Sequence, residues 1–350
     1  MNKTIGLFFG GKSVEHEVSI RSACNVYHAL DKDKYNVVCI YIDKENLWHV
    51  TKSPKDIKSY RKNVVAIISG SRGQICDVKN NKEIVKIDVA FPIVHGSIGE
   101  DGTLQGIFNV ANVAYVGCDI KSSAIGLDKA LTKQLLLDND IKTANFIYAT
   151  CKDVPKWNKV VRKLGISVYV KPNNLGSSVG VSVAKNEEEF KKAFKKALKF
   201  DNEVIIEEAV SGREIEFAVI GNEDIVISPA GEIKVKNGFY DYDTKYVSEN
   251  NAVLIAPAEV KNLKKIQKII AKTYKVLKCS GMARIDGFLK DNGEFLVNEI
   301  NTVPGFTNIS MYPKLMELSG YKYPNLLDKL ISLAIERYNE NNKLKYYYEK

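Results

Sequence analysis

The chain reads as α/β in its first part and α+β beyond it, in three lobes led by a parallel sheet. Three observations predict this. Through residues 1–121, short apolar runs alternate with helical patterns, the signature of parallel strands with helical cover. Over 122–212, a helix leads into β-rich segments that flank a Gly/Ser loop, as in a small α+β lobe. From 213 to 350, long strands and two helical patterns recur. A length of 350 residues accommodates these lobes at roughly 100–200 residues per domain.

The elements follow in order. Residues 4–9 form a buried strand, 10–12 a turn, 19–30 a helix and 35–42 a second strand. Residues 50–85 are polar and weakly patterned, which predicts loops and a ragged hairpin. A strand over 87–94 ends in the polar loop His95–Gly102, and a helix follows over 103–112 with a short strand at 114–116. Residues 122–139 read as one helix, 168–171 and 179–183 as strands, 187–199 as a helix and 203–208 as a strand. Strands are predicted at 214–220, 225–232, 282–289 and 294–299, with helices at 260–277 and 323–338. The polar, tyrosine-rich residues 339–350 read as a loose tail.

Composition excludes several classes. Hydrophobic residues make up 45% and charged residues 27%, which is ordinary for a globular chain and argues against disorder, collagen or coiled coil. No apolar run approaches a membrane span, and 5–9 is too short for a signal-peptide core, so the expectation is a cytoplasmic protein. The net charge of +9 comes from dispersed lysines without an aromatic-interleaved basic stripe, so no nucleic-acid partner is expected. Six scattered cysteines without a CxxC pair, and four histidines out of register with them, read as buried small hydrophobes rather than a zinc site.

The segment from Gly6 to Ser13 satisfies the pattern GxxxxGK[ST]. A phosphate loop needs its first glycine after a strand and a helix starting at its Lys-Ser pair. Here Gly6 sits inside the apolar run, and Val14-Glu-His-Glu follows Ser13, so that reading fails.

Chemistry is carried elsewhere. Asp286, Glu299 and Asn301 fall in strand patterns, with Glu299 and Asn301 on one side. Two carboxylates and an amide oxygen are hard ligands suited to Mg²⁺ bound together with substrate phosphates. Charge in largely apolar segments is costly unless it is used or paired, as by Arg284. Lys171 stands at a strand end before the loop Pro172–Ser178, where backbone amides and a lysine can meet phosphate oxygens. Lys129 lies in the preceding helix. Glu207, Glu208 and Glu214 lie at or after a strand end and can take an adenine amine and ribose hydroxyls.

In order, these pieces resemble the ATP-grasp superfamily and, within it, the D-alanine–D-alanine ligase family. The resemblance runs from about residue 4 to 335 and rests on Glu15-His-Glu-Val-Ser19, His95-Gly96, Gly99-Glu-Asp-Gly-Thr-Leu-Gln-Gly106, Tyr115-Val-Gly-Cys118, Asp128-Lys129 and Lys171-Pro172. It continues through Gly176-Ser-Ser-Val-Gly180, Phe239-Tyr-Asp-Tyr242, Lys245-Tyr246, Ala283-Arg-Ile-Asp286 and Asn298-Glu-Ile-Asn-Thr-Val-Pro-Gly-Phe-Thr307. It implies an ATP-grasp fold with three parts: an N-terminal domain over 1–121 for the first substrate and dimerisation, a central lobe over 122–212, and a C-terminal lobe over 213–350 with the metal site and a flap.

The resemblance also implies roles. ATP would be held by Lys129, Lys171, Ser178, Glu207, Glu208, Val210, Glu214 and Lys245, and two Mg²⁺ (or Mn²⁺) by Asp286, Glu299 and Asn301. The first D-alanine's carboxylate would attack the γ-phosphate, and the second D-alanine's amine would displace phosphate from the acyl phosphate. Glu15 would bind the first ammonium, with His95 near that carboxylate; Lys245 and Ser310 would position the second substrate's carboxylate. Arg284 and the Gly305 amide would stabilise the oxyanion. Ser177 and Tyr246 would link the Gly/Ser loop to the flap over 237–250, hinged at Gly238, and to Glu15.

Relatives that make D-alanyl-D-lactate typically carry histidine where this chain has Tyr246, so D-alanine is the expected second substrate, with D-serine or D-lactate the alternative. Ala209 departs from the bulky aromatic that some family members place against adenine. A binding protein that has lost catalysis is the non-enzyme alternative. The full set Lys129, Lys171, Arg284, Asp286, Glu299 and Asn301 argues against it.

Overall fold

The computed structural model describes residues 2–57, 63–235 and 252–345. The flap expected at 237–250, with Gly238, Lys245 and Tyr246, lies outside the described residues.

The N-terminal lobe begins with β1 (Lys3–Gly10), α1 (His16–Ala29), β2 (Tyr35–Ile42) and β3 (Trp48–Thr51). The short strands β4 (Val65–Ile67), β5 (Gln74–Asp77) and β6 (Glu83–Lys86) precede β7 (Val89–Ile93), α2 (Thr103–Val110) and β8 (Ala114–Tyr115). They form one sheet in the order β6-β5-β4-β3-β2-β1-β7-β8. β2, β1, β7 and β8 are parallel; the others pair antiparallel. The hairpin expected over 50–85 is present as β5 and β6, whereas the loops expected there are corrected in part, since β4 joins them and all three extend the sheet. Strands of three or four residues are too short to print an alternating pattern on a polar sequence.

All five residues of β7 are buried, as expected for a parallel strand covered on both faces. Pro92 is tolerated there because β8 pairs only with Val89 and Ala90, which leaves one side of β7 without a ladder partner at Pro92. Gly6 pairs with Val38 and Ala90 in mid-sheet, and α1 starts three residues after Ser13, in keeping with the rejected phosphate loop. β1 feeds α1 and β2 on one side, while β7 lies on its other side. Ligands favour the crevice beyond strand ends at such a reversal.

The expected helix over 122–139 is two helices, α3 (Ile120–Leu127) and α4 (Lys129–Asp138). Asp128 breaks it: its backbone is extended (φ −77°, ψ 101°), and its side chain accepts the Leu131 N–H at 2.9 Å, capping α4. The central lobe follows with β9 (Phe146–Thr150), α5 (Trp157–Leu164), β10 (Val168–Pro172), β11 (Ser182–Ala184), α6 (Glu187–Ala197) and β12 (Glu203–Glu208). Its antiparallel sheet, ordered β11-β10-β12-β9, shares a core with α5 and α6.

The C-terminal lobe contains β13 (Arg213–Gly221), β14 (Val226–Ile227), β15 (Gly231–Val235), β16 (Ala252–Ile255), α7 (Leu263–Val276), β17 (Gly281–Leu289) and β18 (Phe295–Asn301). The strand expected over 225–232 is split between β14 and β15. α8 (Met311–Leu318) and α9 (Tyr323–Asn341) close the chain, so helix replaces the first residues of the expected tail. Their apolar residues join those of β1, β7 and α1 in one core, which fuses the first and third lobes. Four of the six cysteines are buried; Cys24 is half-buried and Cys151 exposed.

Candidate active site

The carboxyl ends of β1 and β7 bring Glu15 and His95 to one crevice. Glu15 is buried and accepts a hydrogen bond from the Ser177 hydroxyl of the central lobe. Gly96 packs against Glu15: a Cβ there would lie 2.9 Å from Glu15 Oε2 and from Ser13 Oγ, and its φ of +70° also favours glycine. Glu100 Oε1 accepts the Gly96 N–H at 2.9 Å. Burial, then the neighbouring Glu15 charge, pushes the Glu100 carboxyl up to about 8. Both His95 nitrogens meet protein atoms: Nδ1 is 2.9 Å from Val303 O and Nε2 is 3.1 Å from Ser22 Oγ.

The Gly/Ser loop holds Ser177 and Ser178 in the left-handed region, with φ of 55° and 57°. Non-glycine residues seldom sit there, and such conformations cluster at ligand clamps. Buried Asn173 docks this loop on α4 by accepting the Ala130 N–H at 2.9 Å and donating to Asp128 at 2.8 Å. That docking lets Lys129 Nζ donate to Leu175 O at 2.6 Å. Burial lowers the Lys129 pKa, with Glu299 opposing the shift.

Glu207 faces Lys171, which it binds as an ion pair, and Lys133 Nζ at 2.8 Å. Burial alone would raise the Glu207 carboxyl, but the two ammoniums overcome it and hold the group at about 2. Glu214 faces Lys171 electrostatically from β13. Glu208 points to the other face of β12: its carboxylate accepts the Asn145 N–H at 2.8 Å and the Asn145 side-chain amide at 3.0 Å. With Val210 and Lys290 it lines a cavity of about 340 Å³.

Across β13, β17 and β18 the register aligns Glu216 with Asp286 and Asp286 with Glu299. A bulge leaves Asn298 unmatched beside Glu299, a device that re-aims side chains next to sites. Arg284 donates to both Asp286 oxygens, at 2.8 and 2.7 Å, and lies 3.2 Å from Glu216. Asn301 Nδ2 donates to Asp286 at 2.9 Å. Burial opposes the Arg284 cation, but Asp286 and Glu216 outweigh it and raise its pKa. In the next loop, a Cβ on Gly305 would lie 2.7 Å from Ser310 Oγ, so glycine is what lets that backbone approach Ser310. Ser310 Oγ accepts the Thr307 N–H at 2.9 Å.

Comparison with known proteins settles the family. The model for the D-ala D-ala ligase N-terminus matches residues 4–118, and that for the D-ala D-ala ligase C-terminus matches 135–332. The chain belongs to the D-alanine–D-alanine ligase family. It is similar to the D-alanine--D-alanine ligase of Oceanobacillus iheyensis, with 45% identity over 360 aligned residues, 99% of this chain and 98% of the relative. Its fold is similar to the D-alanine-D-alanine ligase structure from Coxiella burnetii, with TM-score 0.87, 36% identity, and coverage of 98% of this chain and 96% of that one. It is also similar to the VanG D-Ala:D-Ser ligase from Enterococcus faecalis, with TM-score 0.84, 33% identity, and coverage of 95% and 100%. The three lobes are thus ATP-grasp architecture.

The donors fit Mg²⁺ only in part by themselves. Among the described residues no group of three or more His, Cys, Asp or Glu can hold a metal. Asp286 and Glu299 with the Asn301 amide would supply hard oxygens, too few for a full shell without oxygens from another source.

Four residues of the site escape the sequence reading. Lys133 stands one helical turn after Lys129, and Glu216 two positions after Glu214 on the same strand face; both spacings were available signals. Glu100 lies inside a quoted motif. Ser22 carries no sequence signal of its own.

Proposed function

We propose that this member of the family joins two D-alanines to D-alanyl-D-alanine, converting ATP to ADP and phosphate, for peptidoglycan precursor synthesis. The observation that carries the reading is convergence: Glu15 meets the Ser177 loop, while Glu299 interacts both with Lys171, the partner of Glu207, and with Arg284, the partner of Asp286.

Glu15 offers its carboxylate to the ammonium of the first D-alanine, whose carboxylate lies beside His95. That carboxylate attacks the γ-phosphorus, ADP leaves, and D-alanyl phosphate forms. Lys129 and Lys171 hold phosphate oxygens against the Ser177 and Ser178 amides, so catalysis is positioning and charge neutralisation. Glu207, Glu208, Val210 and Glu214 hold the adenosine end. Ser310 and Lys245 position the second carboxylate, and its amine attacks the acyl carbon. Arg284 and the Gly305 N–H take the oxyanion before phosphate departs. Tyr246 and Ser177 tie the flap to Glu15 and exclude water from the acyl phosphate. Asp286, Glu299 and Asn301 would hold two Mg²⁺ (or Mn²⁺), which when bound neutralise charge on the transferring phosphoryl group. The active form is a homodimer through the N-terminal lobe. A monodisperse monomer by light scattering would remove that element.

The test is phosphate release from ATP and Mg²⁺, with D-alanine, L-alanine, D-serine and D-lactate offered singly and paired with D-alanine. Release with D-alanine alone and a D-alanyl-D-alanine product by mass are expected. Release only when D-serine or D-lactate joins D-alanine would keep the mechanism and overturn the second substrate. No release with any D-substrate would overturn the reading.

A further inference from the structure

The His95 loop and the Gly305 loop are joined by a short chain of buried hydrogen bonds. Val303 O only accepts, so His95 Nδ1 carries the proton across their 2.9 Å contact. Nε2 of the neutral ring is then an acceptor, and the Ser22 hydroxyl donates to it over 3.1 Å. Ser22 Oγ in turn accepts the Phe306 N–H at 3.3 Å. Every donor therefore points one way: Phe306 N–H to Ser22, Ser22 to His95, His95 to Val303. Burial lowers the His95 pKa, which keeps the ring in the neutral form that this direction requires. The Phe306 carbonyl is held as well, by Asn25 Nδ2 at 3.0 Å and Tyr323 OH at 2.9 Å. Ser22 is wholly buried and His95 nearly so.

We propose that Ser22 and His95 are a positioning pair, which fixes the peptides on either side of the Pro304–Gly305 unit and so aims the Gly305 N–H at the reacting centre. Two residues of the first lobe thereby set a backbone donor of the third. His95 spends both nitrogens on this task, so its service to the first substrate's carboxylate is indirect. The inference rests on the ligase reading above.

Steady-state kinetics with ATP, Mg²⁺ and D-alanine test it on Ser22→Ala, His95→Ala and the double variant. Each single change is expected to lower kcat about 10-fold or more, less than the roughly 100-fold cost of losing an oxyanion donor outright, with KM for ATP unchanged. The double variant is expected to fall no further than the worse single, because breaking one chain twice is one break. Ser22→Cys keeps the volume with a weaker donor, so its kcat is expected between Ser22→Ala and the native chain; it replaces Ser22→Ala if that variant fails to fold. Native kcat in the Ser22 variants, with a raised KM for D-alanine in His95→Ala alone, would make His95 a substrate ligand and overturn the pair. Multiplicative losses in the double variant would overturn it too. A native chain that forms no dipeptide refutes the ligase reading instead, which separates the two failures.

Discussion

Arg284 lays its guanidinium fork along both oxygens of Asp286, two residues away on the same strand face. The carboxylate is thus oriented by a cation that Glu216 also steadies. Asp286→Asn puts an amide N–H₂ against that fork. It is expected to lower kcat by more than the roughly 10–100-fold that losing a ligand's supporting partner usually costs, and to weaken Mn²⁺ binding. Electron paramagnetic resonance titration with Mn²⁺ reads the second effect. Unchanged rate and Mn²⁺ affinity would take Asp286 out of the metal site.

Lys133 has no solvent exposure and contacts both Glu207 and Thr143. Removing one partner of a buried pair costs roughly 3–5 kcal/mol, so Lys133→Met is expected to lower the unfolding free energy by about that amount. Urea titration measures it.

The same carboxylate links stability to acid. Glu207 is depressed to about 2 from an ordinary 4.5. Its contribution is therefore fully present above 4.5 and is lost as pH falls toward 2. Denaturation midpoints across that interval should fall steeply in the native chain and less steeply in Glu207→Gln. Parallel curves would argue against the two-lysine clamp.

Glu100 behaves oppositely. Raised to about 8, it contributes most below 4.5 and loses that contribution as pH rises toward 8. Glu100→Gln mimics the protonated carboxyl. It is expected to match the native chain below 4.5 and to be the more stable of the two near neutral pH, flattening the pH dependence over that range. A slope identical to the native one would show that Glu100 is ionised throughout.

Asp128→Ala removes the cap of α4 and one anchor of Asn173. A stability loss of about 0.5–2 kcal/mol is expected. Because Lys129 begins that helix, KM for ATP should rise as well. A thermal midpoint shift with unaltered KM would detach the cap from nucleotide binding.

Much of this was legible in the chain. The buried runs at β1 and β7 announce parallel strands, and the two-residue spacing of Glu299 and Asn301 survives folding as one shared face. What stayed hidden was local or relational. Asp128 breaks a pattern that reads as one helix, because the gain from capping and from Asn173 exceeds what continuous periodicity records. Ser22 becomes informative only once residues 284 positions apart are brought together.

The first lobe touches both others, through Glu15 at Ser177 and through Ser22 and His95 at the 303–306 segment. On the proposed reading, an amino acid seated at Glu15 would sit where the first lobe meets both of the others. By thermodynamic reciprocity, any factor by which it tightens ATP is the factor by which ATP tightens it. Any coupling between D-alanine and ATP would therefore be one number, readable from either ligand's titration in the presence of the other.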